Sequence, residues 1–541
     1  MEQSDEEKKI AGKTIERWSE LYTLRSSYDT EREEIARLFQ PYSSHFLSHN
    51  AQTTPPGRNL ITSHGLIVMQ NVSPQVYGAM NNPTNNWFEI GPADEDLRKD
   101  PQVKAWSDLA NARLRKSFTT AMSGFYWQTV QYLSTILTFG DACMYDELRA
   151  GKGRILDLTI PSHEFCIALD DDGRVVEVVR RWGEKPAEAL RKFGADSLPD
   201  KVADLVETSP DSKIYFVHRA VLNGEYIPGS GKLNLSSRPV LSVTACEMER
   251  HLVRQRGYYE MPFQFAAWSR ESGQSYGRGV AHNALFAARK LAMHENMVQK
   301  GAALAVDPPI GHPGGRQHQN FQKLAPGRAM AGAISRNGTQ LVRPVHTYSG
   351  LPVGQAEIER AVEELRDASL FSALTVIGRT GMSDLETLEF SEQRLRQMAP
   401  WVAGIFDQFH VPKIERRYRM LRRAGQIDPP PAMMSGQPLV VRATSAFDLA
   451  HRHSEAVSAR RLLDDITAAT GIAPDAADTF DHDAYARIMV QGRGAPSGLI
   501  RDQDDIDAIR AARADAARAR EVAELAPGAA RAARDLSEVE Q

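Results

Sequence analysis

Cysteine is scarce in this chain of 541 residues: there are three, Cys143, Cys166 and Cys246. They lie far apart, make no CxxC and have no metal-ligand spacing. That argues against a disulfide framework and for a reducing compartment. Long apolar runs are also missing. The candidates, 65–69 and 302–306, are of core length, far short of the roughly 20 residues of a membrane span. The opening Met1-Glu2-Gln3-Ser4-Asp5-Glu6-Glu7 is acidic, unlike the basic start and apolar stretch of a secretory signal. A soluble intracellular protein is expected. Excess charge is lacking too: 65 Lys+Arg stand against 69 Asp+Glu, a net charge of -4. This excludes a uniformly basic nucleic-acid binder and a highly acidic disordered chain, while leaving room for local patches.

What is present is an ordinary globular composition, 42% apolar and 25% charged, long enough for three or four domains. The first 140 residues read mainly as helix. Trp18, Leu21, Tyr22 and Arg25 open a pattern that continues through Ile35, Leu38 and Phe39 to Pro41. A loop with Pro55-Pro56-Gly57 follows, then a short helix over 63–80, a strand at Trp87-Phe88-Glu89-Ile90, and a helical region over 101–139 interrupted near Gly124. Residues 155–268 change to strand periodicity. Asp170-Asp171-Asp172-Gly173 between two apolar runs is a hairpin signal, and further strands are expected at 213–222, 240–247 and 260–268. The fold class is α+β, mostly helical, without the regular strand–helix alternation of a parallel sheet.

Two long helices follow, over 279–306 and 354–375. Between them, residues 307–350 hold seven glycines and five prolines. Arg316, Lys323, Arg328, Arg336 and Arg343 face the single acid Asp307 there, a net +4. So long a segment without a core of its own is expected to have a partner. The second helix is acidic, with Glu357, Glu359, Glu363, Glu364 and Asp367 against Arg360 and Arg366. A glycine-bracketed loop, 376–381, carries Arg379. Ser383-Asp384-Leu385-Glu386 has the form of a capping box and opens a helix that runs to Pro400, with kinks or breaks expected there and at Pro412. A strand over 438–442, helices from 447 to 470 and after Asp481, and an Ala/Arg-rich tail complete the chain.

The chemical motifs are weak. Gly273-Gln274-Ser275-Tyr276-Gly277 matches G-x-S-x-G, the strained elbow that lifts a nucleophilic serine in α/β-hydrolases. The alternation that fold needs is missing and no motif places a histidine, so a glycine-rich entry into the long helix is the plainer reading. A serine hydrolase using Ser275 is the rival. Gly229-Ser230-Gly231-Lys232 lacks the first glycine and the hydroxyl of a phosphate loop. His294-Glu295 lacks the second histidine of a zinc helix, so neither metal nor cofactor is expected. The basic run Lys413, Arg416, Arg417, Arg419, Arg422 and Arg423 fits phosphate contact and a solvated helix face equally well.

Taken in order, several segments resemble the portal (head-to-tail connector) proteins of short-tailed, podovirus-type tailed bacteriophages. They are the opening helix 18–41, Asn86-Trp87-Phe88-Glu89-Ile90, Thr138-Phe139-Gly140-Asp141-Ala142, and Tyr276-Gly277-Arg278-Gly279 followed by a long helix and Asp307-Pro308-Pro309. Met382-Ser383-Asp384-Leu385-Glu386, Leu395 and Pro400 also fall in place, although Asp384 and Leu385 replace the usual Ala and Thr. The resemblance implies a non-enzymatic, elongated subunit with a wing, a two-helix stem, a β-containing clip and a helical crown. Twelve copies would form a ring at one capsid vertex for packaging and ejecting double-stranded DNA. Mapped here, the wing is 1–278, the stem 279–306 and 351–375, the clip 307–350 and the channel loop 376–383. Kinked wing helices and a strand fill 384–445, and crown and tail fill 446–541. Arg379, Glu357 and Glu364 would lie toward the DNA channel. Arg316, Lys323, Arg328 and Arg336 would dock the terminase large subunit and later tail adaptors. Capsid and scaffold proteins are further implied partners, with no membrane. The implied location is the virion, after assembly in the host cytoplasm, although a remnant in an integrated prophage would look the same.

Overall fold

The computed structural model describes residues 3–43, 46–47, 62–81, 83, 86–119, 123–149, 154–224, 226, 237–306, 310–311, 335–340, 343–344, 351–371, 400–444, 459–460, 462–467, 480–492 and 505–518. The chain forms two units, Met1–Ser445 and Ala446–Gln541.

In the first unit, helix α1 (Asp5–Phe39) starts at a capping box. The Glu7 N–H donates to the Ser4 hydroxyl, and the Ser4 N–H donates to the Glu7 carboxylate at 3.0 Å. Helix α2 (His64–Met80) follows, then strand β1 (Phe88–Pro92) and the short α3 (Glu95–Lys99). The helical region after Pro101 is divided into α4 (Pro101–Thr119) and α5 (Phe125–Phe139), with Gly124 in the left-handed conformation at the join.

Strands then build two antiparallel sheets. Strand β2 (Asp141–Arg149) lies between β3 (Arg154–Ile160) and β9 (Phe263–Ala267). A five-stranded meander runs β4 (Phe165–Leu169), β5 (Val175–Glu184), β6 (Ile214–Leu222), β7 (Val240–Cys246), β8 (His251–Tyr258). Side chains alternate along these strands, so each sheet has two faces to bury. One face of the meander meets the three-stranded sheet through Phe165, Ile167, Val178 and Ala220 against Cys143, Ile160, Phe263 and Phe265. Cys166, Val179 and Val217, of opposite parity, receive Trp18 and Leu21 of α1. Two short helices in the β5–β6 connection, α6 (Pro186–Phe193) and α7 (Asp200–Thr208), close a small core over Trp182, Phe216 and Cys246. The three cysteines are buried and unpaired.

Helix α8 (Val280–Val306) leaves this body and α9 (Leu351–Ala368) returns beside it. Strands β10 (Ile310–Gly311) and β11 (Arg343–Pro344) form a two-residue antiparallel ladder between them. Residues 400–405 are helical. At Pro412, where a kink or break is expected, residues Phe406–His410 widen to a π-turn before the helix resumes as α10 (Val411–Arg423). Proline supplies no N–H and crowds the carbonyl four residues back, and the wider turn accommodates both. Strand β12 (Leu439–Ala443) then pairs with β1, joining distant parts of the chain.

In the second unit, α11 (His482–Gly492) and the helical stretch 505–518 are tied by Arg510, whose guanidinium grips Asp483 at 2.6 and 2.7 Å. The fold is thus α+β and mostly helical. The expected capping box at Ser383, the loop at 376–383 and the helix up to Pro400 lie outside the described residues.

Candidate functional site

The feature that sets this chain apart from a compact body is the α8–α9 hairpin. The first half of α8 is rooted in the body through buried Val280, Ala284, Leu285, Ala288 and Leu291, and beyond that point little of it is buried except Gly301. The partner α9 runs antiparallel. Lys290 pairs with Glu364 at 2.9 Å, while nearer the tip Val298 approaches Gly354 so closely that a Cβ there would lie 2.6 Å from it. Ala361, between these points, and Leu365, just past Glu364, are buried.

The root of α8 joins two of the short motifs. A Cβ on Gly140, whose φ is +88°, would overlap the carbonyl of Gly277, and one on Gly279 would overlap the Leu137 carbonyl. Thr138–Ala142 and Tyr276–Gly279 are therefore glycine-rich because their backbones touch. The Gly279 N–H donates to Nδ1 of His282 at 3.0 Å, and burial pushes that imidazole down to about 3, so it stays a neutral acceptor. Asp141, the next residue in the first motif, pairs with the buried Arg32 of α1. Arg25, two turns earlier on the same face of α1, donates to the carbonyls of Ser162, His163 and Phe165 and pairs with Asp29.

A second root lies under α10. The basic run is split between a buried side and a solvated side. Lys413, Arg416 and Arg417 are buried against β2 and β3. Lys413 bridges Asp146 and Asp157, Arg416 pairs with Asp146 and Glu260, and Arg417 pairs with Asp157. Burial alone would raise the Asp146 carboxyl; Arg416, Lys413 and Arg417 outweigh it and hold it at about 2. Sequence spacing marks the helix but carries no sign of these carboxylates, which sit some 260–270 positions away in the chain. Only Arg419, Arg422 and Arg423 remain at the surface, with Arg423 gripping Glu260.

The residues expected to serve function are dispersed. Glu357 and Glu364 both lie on α9, paired with Arg360 and Lys290. Arg336 is exposed in a turn closed by the Ser335 N–H donating to the Thr339 carbonyl. Arg316, Lys323, Arg328 and Arg379 lie outside the described residues. Ser275 sits in a bend with ordinary φ, not in a strained elbow, and no hydrogen bond links it to a histidine among the described residues. No group of His, Cys, Asp or Glu among them could hold a metal ion, and no described helix is long and apolar enough to cross a membrane. Sequence reading gave no role to Arg32 and His282, and named Arg25 and Asp141 only as parts of a helix pattern and a motif.

Comparison with known proteins agrees. Residues 11–500 match the family described as bacteriophage head to tail connecting protein. The chain is 24% identical over 500 residues to a probable portal protein of Bordetella phage BPP-1, covering 90% of this chain and 88% of the relative. It is 20% identical over 502 residues to a portal protein of Salmonella phage epsilon15, covering 91% and 89%. Portal proteins are structural parts of the phage and not enzymes, which agrees with the geometry at Ser275. The chain belongs to the head to tail connecting protein family, the portal proteins of tailed bacteriophages.

Proposed function

We propose that about twelve copies of this chain close into a ring at one capsid vertex, and that double-stranded DNA is packaged and later ejected through its centre. The observation that supports this most is the hairpin. Helix α8 leaves the body after Leu291, α9 returns beside it, and a two-residue ladder lies where the glycine- and proline-rich segment 307–350 departs and returns. In this reading α8 and α9 are the stem and 307–350 the clip. The loop at 376–383 with Arg379 reaches toward the channel, and residues 446–541 form the crown. The ring sits in the virion after assembly in the host cytoplasm, among capsid and scaffold proteins.

Charge supports the same reading. A conduit must not hold its cargo, and each neutralised phosphate adds affinity. Glu357 and Glu364 of α9 would lie on a wall that DNA slides past. The basic clip residues Arg316, Lys323, Arg328 and Arg336 would instead face the terminase large subunit and then the tail adaptors. Charge reversal at Arg316 and Arg328 together should leave assembly intact and lower DNA packaging in a terminase-driven assay; normal packaging by that variant refutes the clip assignment.

A further inference from the structure

Four large apolar side chains stand in a row on the outside of α8. Phe286, Met293, Met297 and Leu304 are 73, 52, 54 and 48% exposed. Their spacing of seven, four and seven residues brings position 304 back over 286 after about five turns, a straight row about 27 Å long. The partner helix α9 does not cover it: Val298, which meets Gly354, lies roughly a third of a turn away. Scattered exposed apolar residues are ordinary on a protein surface, but a continuous row of this length marks an interaction site.

Charge indicates what covers the row. Lys300, exposed, borders it on α8, on the same side as Arg289, which already pairs with Glu34 of its own subunit. On the outer side of α9, Glu359 and Glu363 are exposed and have no ion pair among the described residues, and Val353 is exposed near the tip. Two copies meeting row to row would bring the cations of both together. A copy meeting the next copy's α9 brings cations to acids. Two methionines in the row can repack against an irregular partner surface.

We infer that the row is the seat of a second copy of this chain, with the Phe286–Leu304 face of one subunit packed on the acidic outer face of α9 in the next. The inference rests on the ring reading above and adds which faces meet. The contact is head-to-tail, so each subunit uses two different faces and the series closes by rotation.

Three measurements on the full-length protein test it. In oxidative footprinting, Met293 and Met297 should react at least about tenfold more slowly in the assembled protein than in subunits dissociated by dilution or mild denaturant. The double variant Met293→Asp, Met297→Asp should melt like the dissociated wild-type subunit, because both side chains are exposed in the subunit, and should lose assembly. A second variant, Glu359→Lys with Glu363→Lys, should fail to assemble as well. Mixed together, the two variants should form one-to-one heteromers, since each keeps one good face and the altered faces carry opposite charges. Rings that leave both methionines fully reactive, or that form normally with both aspartates in place, overturn the inference and leave the ring reading standing. Folded variants that never pair on mixing overturn the head-to-tail arrangement. Wild-type protein that forms no ring at all defeats the ring reading itself.

Discussion

The ammonium of Lys413 lies 2.6 Å from the Asp157 carboxylate, and neither side chain touches solvent. The same ammonium is 3.1 Å from Asp146, so one cation on α10 ties down both strands of the β2–β3 hairpin. The pair explains why a helix rich in lysine and arginine packs inward. Its charges are answered by carboxylates that would be costly to bury alone.

Removing the cation should expose that cost. Lys413→Met leaves two buried carboxylates short of a partner and should destabilise the first unit by about 3–5 kcal/mol. Arg419→Ala, on the exposed side of the same helix, should cost about 0.5 kcal/mol or less. Denaturant unfolding of both variants checks the contrast, and equal losses would mean that the buried network contributes nothing special.

Acid should weaken the fold in two stages. Burial holds His218, His282 and His410 at about 3, so each stays neutral when folded but takes a proton near pH 6.5 when unfolded. Stability should therefore fall as pH drops below 6.5, by about 1.4 kcal/mol per pH unit for each histidine. Asp146, held at about 2 against an ordinary 3.8, stabilises the fold fully above pH 4 and loses that contribution, roughly 2 kcal/mol, as pH falls through 2. Melting temperatures from pH 7 to 4 measure the first stage. His218→Gln should flatten the slope by about a third, one of three such groups.

Two glycines separate backbone strain from close approach. Gly140 and Gly124 are both left-handed, with φ +88° and +71°, but a Cβ on Gly124 meets nothing closer than 3.9 Å whereas one on Gly140 meets the Gly277 backbone. Gly124→Ala should cost about 1–2 kcal/mol, the strain of a left-handed alanine. Gly140→Ala adds overlap at the root of α8 and should cost about 1–3 kcal/mol more. Thermal unfolding of the two variants decides it; equal losses would show that the α5–α8 contact yields freely.

Much of the fold is legible in the sequence where local chemistry suffices. Asp170 to Gly173 predicts the β4–β5 hairpin, and the Asp170 carbonyl and carboxylate indeed accept from Gly173 and Arg174. The α8–α9 pair is legible from length and apolar spacing. Strand β2 is not, because its Asp146 looks out of place until Lys413 and Arg416 arrive from the far side of the chain. Strand β8 is hidden by Arg254, Gln255, Arg256 and Gly257, which break alternation, and α6 and α7 are too short for a period to register. The candidate site divides the same way. The hairpin is visible as two helices, but the apolar row on α8 gains meaning only once α9 is seen to cover a different side. The motifs around Gly140 and Gly277 are weak apart because their reason is mutual contact, which no single segment contains.

As proposed, copies of this chain build a channel-bearing ring. Electron microscopy of the purified full-length protein, without nucleotide or DNA, is the decisive test. Closed rings with a central channel are expected, of about 720 kDa for twelve copies of the 60.1 kDa chain. Particles that stay monomeric at every concentration, with no ring in any class average, would contradict it.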